Sequence, residues 1–230
     1  MNKRQEQKLA AMNRAHGSVT THADASPGYV AMVTLLGDTV SRVKAEHQKY
    51  LAGQAASAEG AAARKAIRTR THRRYLMSST RLKAQLEVTN PDVARLLNPP
   101  SSDATFEEWR AGAHTVLDTV TRFPDVMAAH GMRATFATDL AGELAKYDAA
   151  VAEMDRGHLE HVRASSTIRQ ALAEGMRLLK VFDAINRHRF AAQPELLAEW
   201  ESARNVAWER GGKGDEEESP DGEAQDGSSK

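Results

Sequence analysis

From Leu140 to Asn186 the seam positions recur at alternating steps of four and three without a slip. Leu140, Leu144, Tyr147, Val151 and Met154 lead through His158, His161 and Ser165 to Ile168, Leu172, Gly175 or Met176, Leu179, Phe182 and Asn186. That rhythm belongs to the buried stripe of a helix, not to a strand. Between Leu159 and Phe190 the stripe broadens to include Leu178, Val181 and Ile185, and only Arg177, Lys180, Ala184 and Arg187 form a narrow water-facing edge. This stretch is expected to be a central helix, its end at Asn186 to Arg189 cationic as the helix dipole prefers. One unbroken helix over the whole pattern would run roughly 50 residues, or about 75 Å, against a radius of gyration of about 17 Å for a compact chain of this size. It would also seat His158, His161 and Ser165 in a packed seam, each costing about 1–3 kcal/mol if buried without a partner. A hairpin at Arg156-Gly157-His158 removes both penalties, with Gly157 taking the left-handed conformation beyond a helix end. The hairpin is the expected arrangement.

The other segments repeat the same rhythm. Residues 1–26 are polar, with a short helix around Lys8 to Arg14, and Ser26-Pro27 cap the next helix. That helix carries the seam Tyr29, Val33, Leu36, Val40, Val43, His47 and Tyr50, a period that marks coiled-coil-like packing. Gly53 to Gly60 reads as a turn, although its alanines would also continue a helix. A second helix from about Ala61 to Val88 shows Ile67, Thr71, Tyr75, Ser78, Leu82 and Leu86 on one side and ends at Asn90-Pro91. Thr105-x-x-Glu108 has the form of a capping box, with Ser102 and Asp103 as alternative caps. Pro124 kinks the helix that follows, and His130-Gly131 stops it. Pro194 opens a last helix that buries Trp200. These elements predict an all-α bundle of about five or six helices with long antiparallel helical hairpins. Its limits are a polar N-terminal segment over 1–26, one bundle domain over 27–210, and a disordered acidic tail over 211–230.

Composition excludes more than it identifies. The 230 residues contain no cysteine, which removes disulfides, thiolate metal sites and cysteine nucleophiles and fits a cytoplasmic setting. No apolar run is long enough to span a membrane, so no membrane partner is expected. Net charge is zero, so no global field draws in nucleic acid, yet the charge is unevenly distributed. Residues 64–83 hold eight Lys or Arg and no acid, whereas 211–230 hold seven acids against two lysines. Arginine outnumbers lysine 21 to 10, which with the abundant alanine suggests a GC-rich bacterial genome.

The basic run offers the first candidate site. Arg70, Arg74 and Arg81 fall on one side of their helix and could contact phosphates of a polyanion, but Arg64, Lys65, Arg68 and Arg73 point elsewhere, so no clean stripe forms. Asp155, His158 and His161, with Glu160, have a spacing that places metal ligands on one helical face unless a turn at Gly157 breaks it. His47 reads as a hydrogen-bonded core histidine. Gly37, Gly112, Gly142 and Gly175 lie inside helices, where close crossings explain them, and Gly211-Gly212-x-Gly214 lacks the Lys-Ser/Thr of a phosphate-binding loop. No cofactor is implied, and no nucleophile, base and orienting group can be placed together.

The segments EGMRLLKVFDAINRHRF, PELLAEWESARNV, SPGYVAMVTLL, TFEEWRAGA and HGM are similar to a group of uncharacterised bacterial all-helical proteins with no assigned activity, over about Met1 to Val206. The resemblance implies helix packing and transfers no site. The sequence therefore points to a non-catalytic cytoplasmic structural or protein-interaction protein, self-associating through heptad faces. Nucleic-acid or polyanion binding through residues 64–83 is the first alternative, and a small-molecule or metal-binding bundle the second.

Overall fold

The computed structural model describes residues 1–206; the expected acidic tail over 211–230 lies outside the described residues. Every regular element described is helical: α1 (Lys3–Thr21), α2 (Pro27–Thr71), α3 (Met77–Thr89), α4 (Pro91–Leu96), α5 (Phe106–Arg122), α6 (Pro124–Ala129), α7 (Phe136–Arg189) and α8 (Pro194–Arg204). A π-helical turn, His72–Leu76, joins α2 to α3. The described chain divides into two compact units. One comprises residues 1–40 together with residues 174–206, the other residues 41–173. Helices α2 and α7 each contribute a segment to both.

In the first unit, the stretch read as polar becomes a 19-residue helix. Its start is a capping box: the Asn2 side chain accepts from the Gln5 amide, and the Gln5 side chain accepts from the Asn2 amide, both at 3.0 Å. Its inner face is Ala11, Met12, Ala15, Ser18 and Val19, mostly small residues whose periodicity carries little hydropathy. α1 packs against α8. Tyr29 of α2 meets Phe182 of α7 edge to face at 5.4 Å, and its hydroxyl lies 3.1 Å from Asn186 Oδ1. Trp200 and Phe182 are both fully buried here.

In the second unit, the expected hairpin at Gly157 and the expected turn over 53–60 are both absent. α7 runs unbroken for 54 residues and α2 for 45. The glycines serve a close helix crossing instead. A Cβ on Gly157 would lie 2.5 Å from the Ser57 amide nitrogen and 2.8 Å from the Gly53 carbonyl oxygen. One on Gly53 would lie 2.7 Å from the His161 nitrogen, and one on Gly60 2.6 Å from that of Met154. The pairs 53–161, 57–157 and 60–154 share one antiparallel register, with backbones in direct contact. The polar seam residues lie along the continuous helix instead of at a wet hairpin tip, and of these only the Nδ1 of His161 is buried without a hydrogen-bond partner. His158 is exposed, Ser165 is half-buried, and the half-buried His161 ring sits 4.2 Å from that of Tyr50.

Beyond the crossing, a core of Tyr75, Leu76, Leu86, Trp109, Val116, Leu140 and Leu144 joins α3 and α5 to α7. The capping box at Thr105 is present: its hydroxyl accepts from the Glu108 amide at 3.2 Å, and Glu108 accepts from the Thr105 amide at 2.8 Å. That backbone hydrogen bond, with the side-chain one, holds the Glu108 carboxyl below its ordinary value. Thr105→Ala is expected to cost about 1 kcal/mol, read as a lower urea midpoint. Because the folded pKa of Glu108 is depressed, its contribution is present above the unfolded pKa and disappears as pH falls through the folded one. The gap between wild type and variant should therefore narrow in acid. Pro124 gives a break instead of a kink: α5 ends at Arg122, and Pro124 opens α6 as its first residue.

Candidate anion-binding cleft

The π turn changes which residues of the basic segment face inward. The buried positions through it are Thr71, Tyr75, Leu76, Ser79, Leu82 and Leu86, with Ser79 inward where an uninterrupted seam would place Ser78. The extra residue in the turn turns Ser79 inward and leaves Arg74, Ser78, Arg81 and Gln85 along one outward line of α3 and the turn. π turns recur at functional sites for this reason, since they re-aim side chains without ending the helix.

The opposite wall comes from the end of α6. Gly131, with φ of 82°, takes the left-handed conformation that glycine accommodates most readily. Its amide donates to the Ala128 carbonyl and that of Met132 to Met127, each at 3.0 Å, the paired bonds of a Schellman stop. The reversal carries Met132 and Arg133 back towards α3. His130 is fixed at the same corner: its Nδ1–H donates to the Val126 carbonyl at 2.9 Å, and its Nε2 lies 2.8 Å from the Thr89 hydroxyl.

Between these walls lies a cavity of about 360 Å³, lined by Arg74, Ser78, Arg81, Leu82, Gln85, His130, Gly131, Met132, Arg133 and Phe136. Three arginines and, among the described residues, no acidic side chain line it. Arg74, Arg81 and Arg133 form no ion pair with any described residue; Arg74 lies over the Tyr75 ring, 5.6 Å from its centroid. Leu82 and Phe136 are buried and form an apolar floor.

Of the three arginines singled out in the sequence, Arg74 and Arg81 meet at this cleft and Arg70 does not. Arg70 is bound to Glu143 of α7, its Nε 2.8 Å from Oε2. Burial works to raise the Glu143 carboxyl, but hydrogen bonds from Lys146 and Arg70 outweigh it and hold the group below its ordinary value. The neighbouring cations are engaged too. Arg68 donates to the Ser102 and Ala104 carbonyls, and Arg64 lies 3.8 Å over the Phe106 ring. His72, in the π turn, is held below its ordinary pKa by burial and then by the charge of Arg68. Arg133 and Gln85 were not anticipated from sequence, and the His130-Gly131 stop was read only as a helix end, not as a wall of a site.

The remaining candidates are structural. Gly37 and Gly175 abut His16 and Met12 of α1, Gly112 abuts Pro100, and Gly142 faces open space. His47 is half-buried, its ring 6.2 Å from that of Tyr50. Asp155 is exposed, and among the described residues no group of three or more metal-binding side chains is placed to hold an ion. No described helix is long and apolar enough to cross a membrane. No protein-family model, no curated protein and no solved structure matches this chain.

Proposed function

We propose that this chain is a non-catalytic helical binding protein of the cytoplasm, and that it recognises an anionic ligand in the cleft beside the π turn. The observation that carries this reading is the convergence of Arg74, Arg81 and Arg133 on one cavity with no carboxylate among the described residues of its lining. Like charges at one surface repel one another, and an anion that bridges them relieves the repulsion while gaining charge-assisted hydrogen bonds.

The same geometry weakens the two other readings. Self-association through heptad faces needs exposed seams, yet Leu36, Val43, Leu140, Leu144 and Ile168 are already buried within the chain. A nucleic-acid backbone needs a continuous cationic track, and Arg64, Arg68 and Arg70 are diverted to a ring, to carbonyls and to Glu143.

The test is a melting series of the full chain with inorganic phosphate, pyrophosphate and citrate. At least one should raise the melting temperature in a saturable manner, and the double variant Arg81→Glu/Arg133→Glu should lose that response. Both side chains are exposed, so the variant is expected to fold, with a cooperative melt in the absence of anion as the check. A chain insensitive to all three anions, or a double variant that responds as the wild type does, would count decisively against the cleft.

A further inference from the structure

We infer that the ligand of this cleft is a phosphate monoester carried on a small apolar or aromatic body, an assignment that rests on the anion-binding reading above. Chemistry and size both point that way. An arginine presents its donors as a planar fork that matches two oxygens of a phosphate, and three forks around one cavity suit a group with three terminal oxygens. A monoester carries a charge of about −1.5 to −2 near neutral pH, nearer to the three positive charges of Arg74, Arg81 and Arg133 than a single carboxylate would be.

The other lining groups specify the rest of the molecule. Ser78 is not a free donor, because its hydroxyl already donates to the Tyr75 carbonyl at 2.7 Å. The amide of Gln85 supplies the neutral donor, while the buried Phe136 offers an apolar surface for the body of the ligand. At about 360 Å³ the cavity lies at the small end of ligand sites, room for one phosphate and about one ring. The groove of about 710 Å³ that adjoins it at Arg74 is lined by residues of α2 and the π turn alone, so it has no second wall to hold a longer ligand.

Isothermal titration of the full chain with phenyl phosphate, inorganic phosphate, succinate and a single-stranded oligonucleotide tests the assignment. Phenyl phosphate should bind one per chain and more tightly than inorganic phosphate. Arg81→Ala and Arg133→Ala should each weaken it about tenfold or more, as loss of hydrogen bonds to a charged group does. Arg81→Lys, which keeps the charge and loses the fork, should fall between, and Arg73→Ala, outside the cleft, should bind as wild type. Succinate binding that depends on Arg81, with phenyl phosphate silent, would overturn the phosphate assignment and leave the anion cleft standing. An oligonucleotide that binds more tightly than phenyl phosphate through the same arginines would overturn the compact ligand. Absence of binding by every probe, or binding indifferent to Arg81 and Arg133, would overturn both readings.

Discussion

Replacing Gly157 with alanine should lower the stability of the folded chain by about 1–3 kcal/mol, as overpacking does, whereas the same change at Gly142 should raise it by about 1 kcal/mol, the helix-propensity difference. Both glycines lie inside α7, so propensity alone predicts a gain at each. Space decides otherwise. A Cβ at Gly142 meets nothing within 4 Å, while one at Gly157 meets backbone atoms of Gly53, Ala56 and Ser57, which cannot rotate away as a side chain would. The helices must separate, and their contacts weaken on either side of the crossing. Gly60→Ala should behave like Gly157→Ala, but the pair should cost less than the sum, because one Cβ already opens the space for the next. Proline at Gly157 should be as damaging as at Leu172, about 3 kcal/mol or more at each. Urea denaturation of the single and double variants measures all of this. A stabilised Gly157→Ala, or a Gly157→Pro that is tolerated, would restore the hairpin.

What the sequence revealed and concealed follows from the range over which each signal acts. Thr105 and Glu108, Pro124, His130-Gly131 and the burial of Trp200 were legible because each depends on residues within a turn or two, or on hydrophobicity alone. Gly53, Gly60 and Gly157 were misread for a physical reason: in a local window glycine signals a turn. Its use here depends on another glycine or small residue about a hundred positions away in the antiparallel partner. α1 was underestimated because Ala11, Ala15 and Ser18 pack by being small. Half the cleft was visible in the same way. Arg74 and Arg81 share a side of the basic segment, but the π turn that aims them leaves no mark in the rhythm, which places Ser78 inward where the structure buries Ser79. Arg133 arrives from a different element through the Gly131 reversal, and no pattern local to residues 64–83 contains it.

Trp200→Ala should remove about 3–5 kcal/mol from the first unit, the usual cost of deleting a large buried aromatic. Trp200 is fully buried and is the one fully buried residue of α8, with Leu196 and Leu197 half-buried beside it, so it is the main apolar anchor of this helix. Its ring lies 6.4 Å from that of Phe182, and its Nε1–H donates to Asp183 Oδ1 at 3.2 Å. An 11-residue helix is marginal on its own, so without the anchor α8 should detach instead of closing over a cavity. α1 packs on α8, so hydrogen exchange should accelerate in both helices together. Trp200→Phe separates packing from polarity. It restores most of the ring and forfeits only the indole bond, a loss of about 1 kcal/mol, because Asp183 keeps its ion pairs with Arg187 and Arg204. If Trp200→Ala released α8 while the amides of α1 kept their protection, α1 would be held by Met12 and Val19 against the long helices, and α8 would be an accessory.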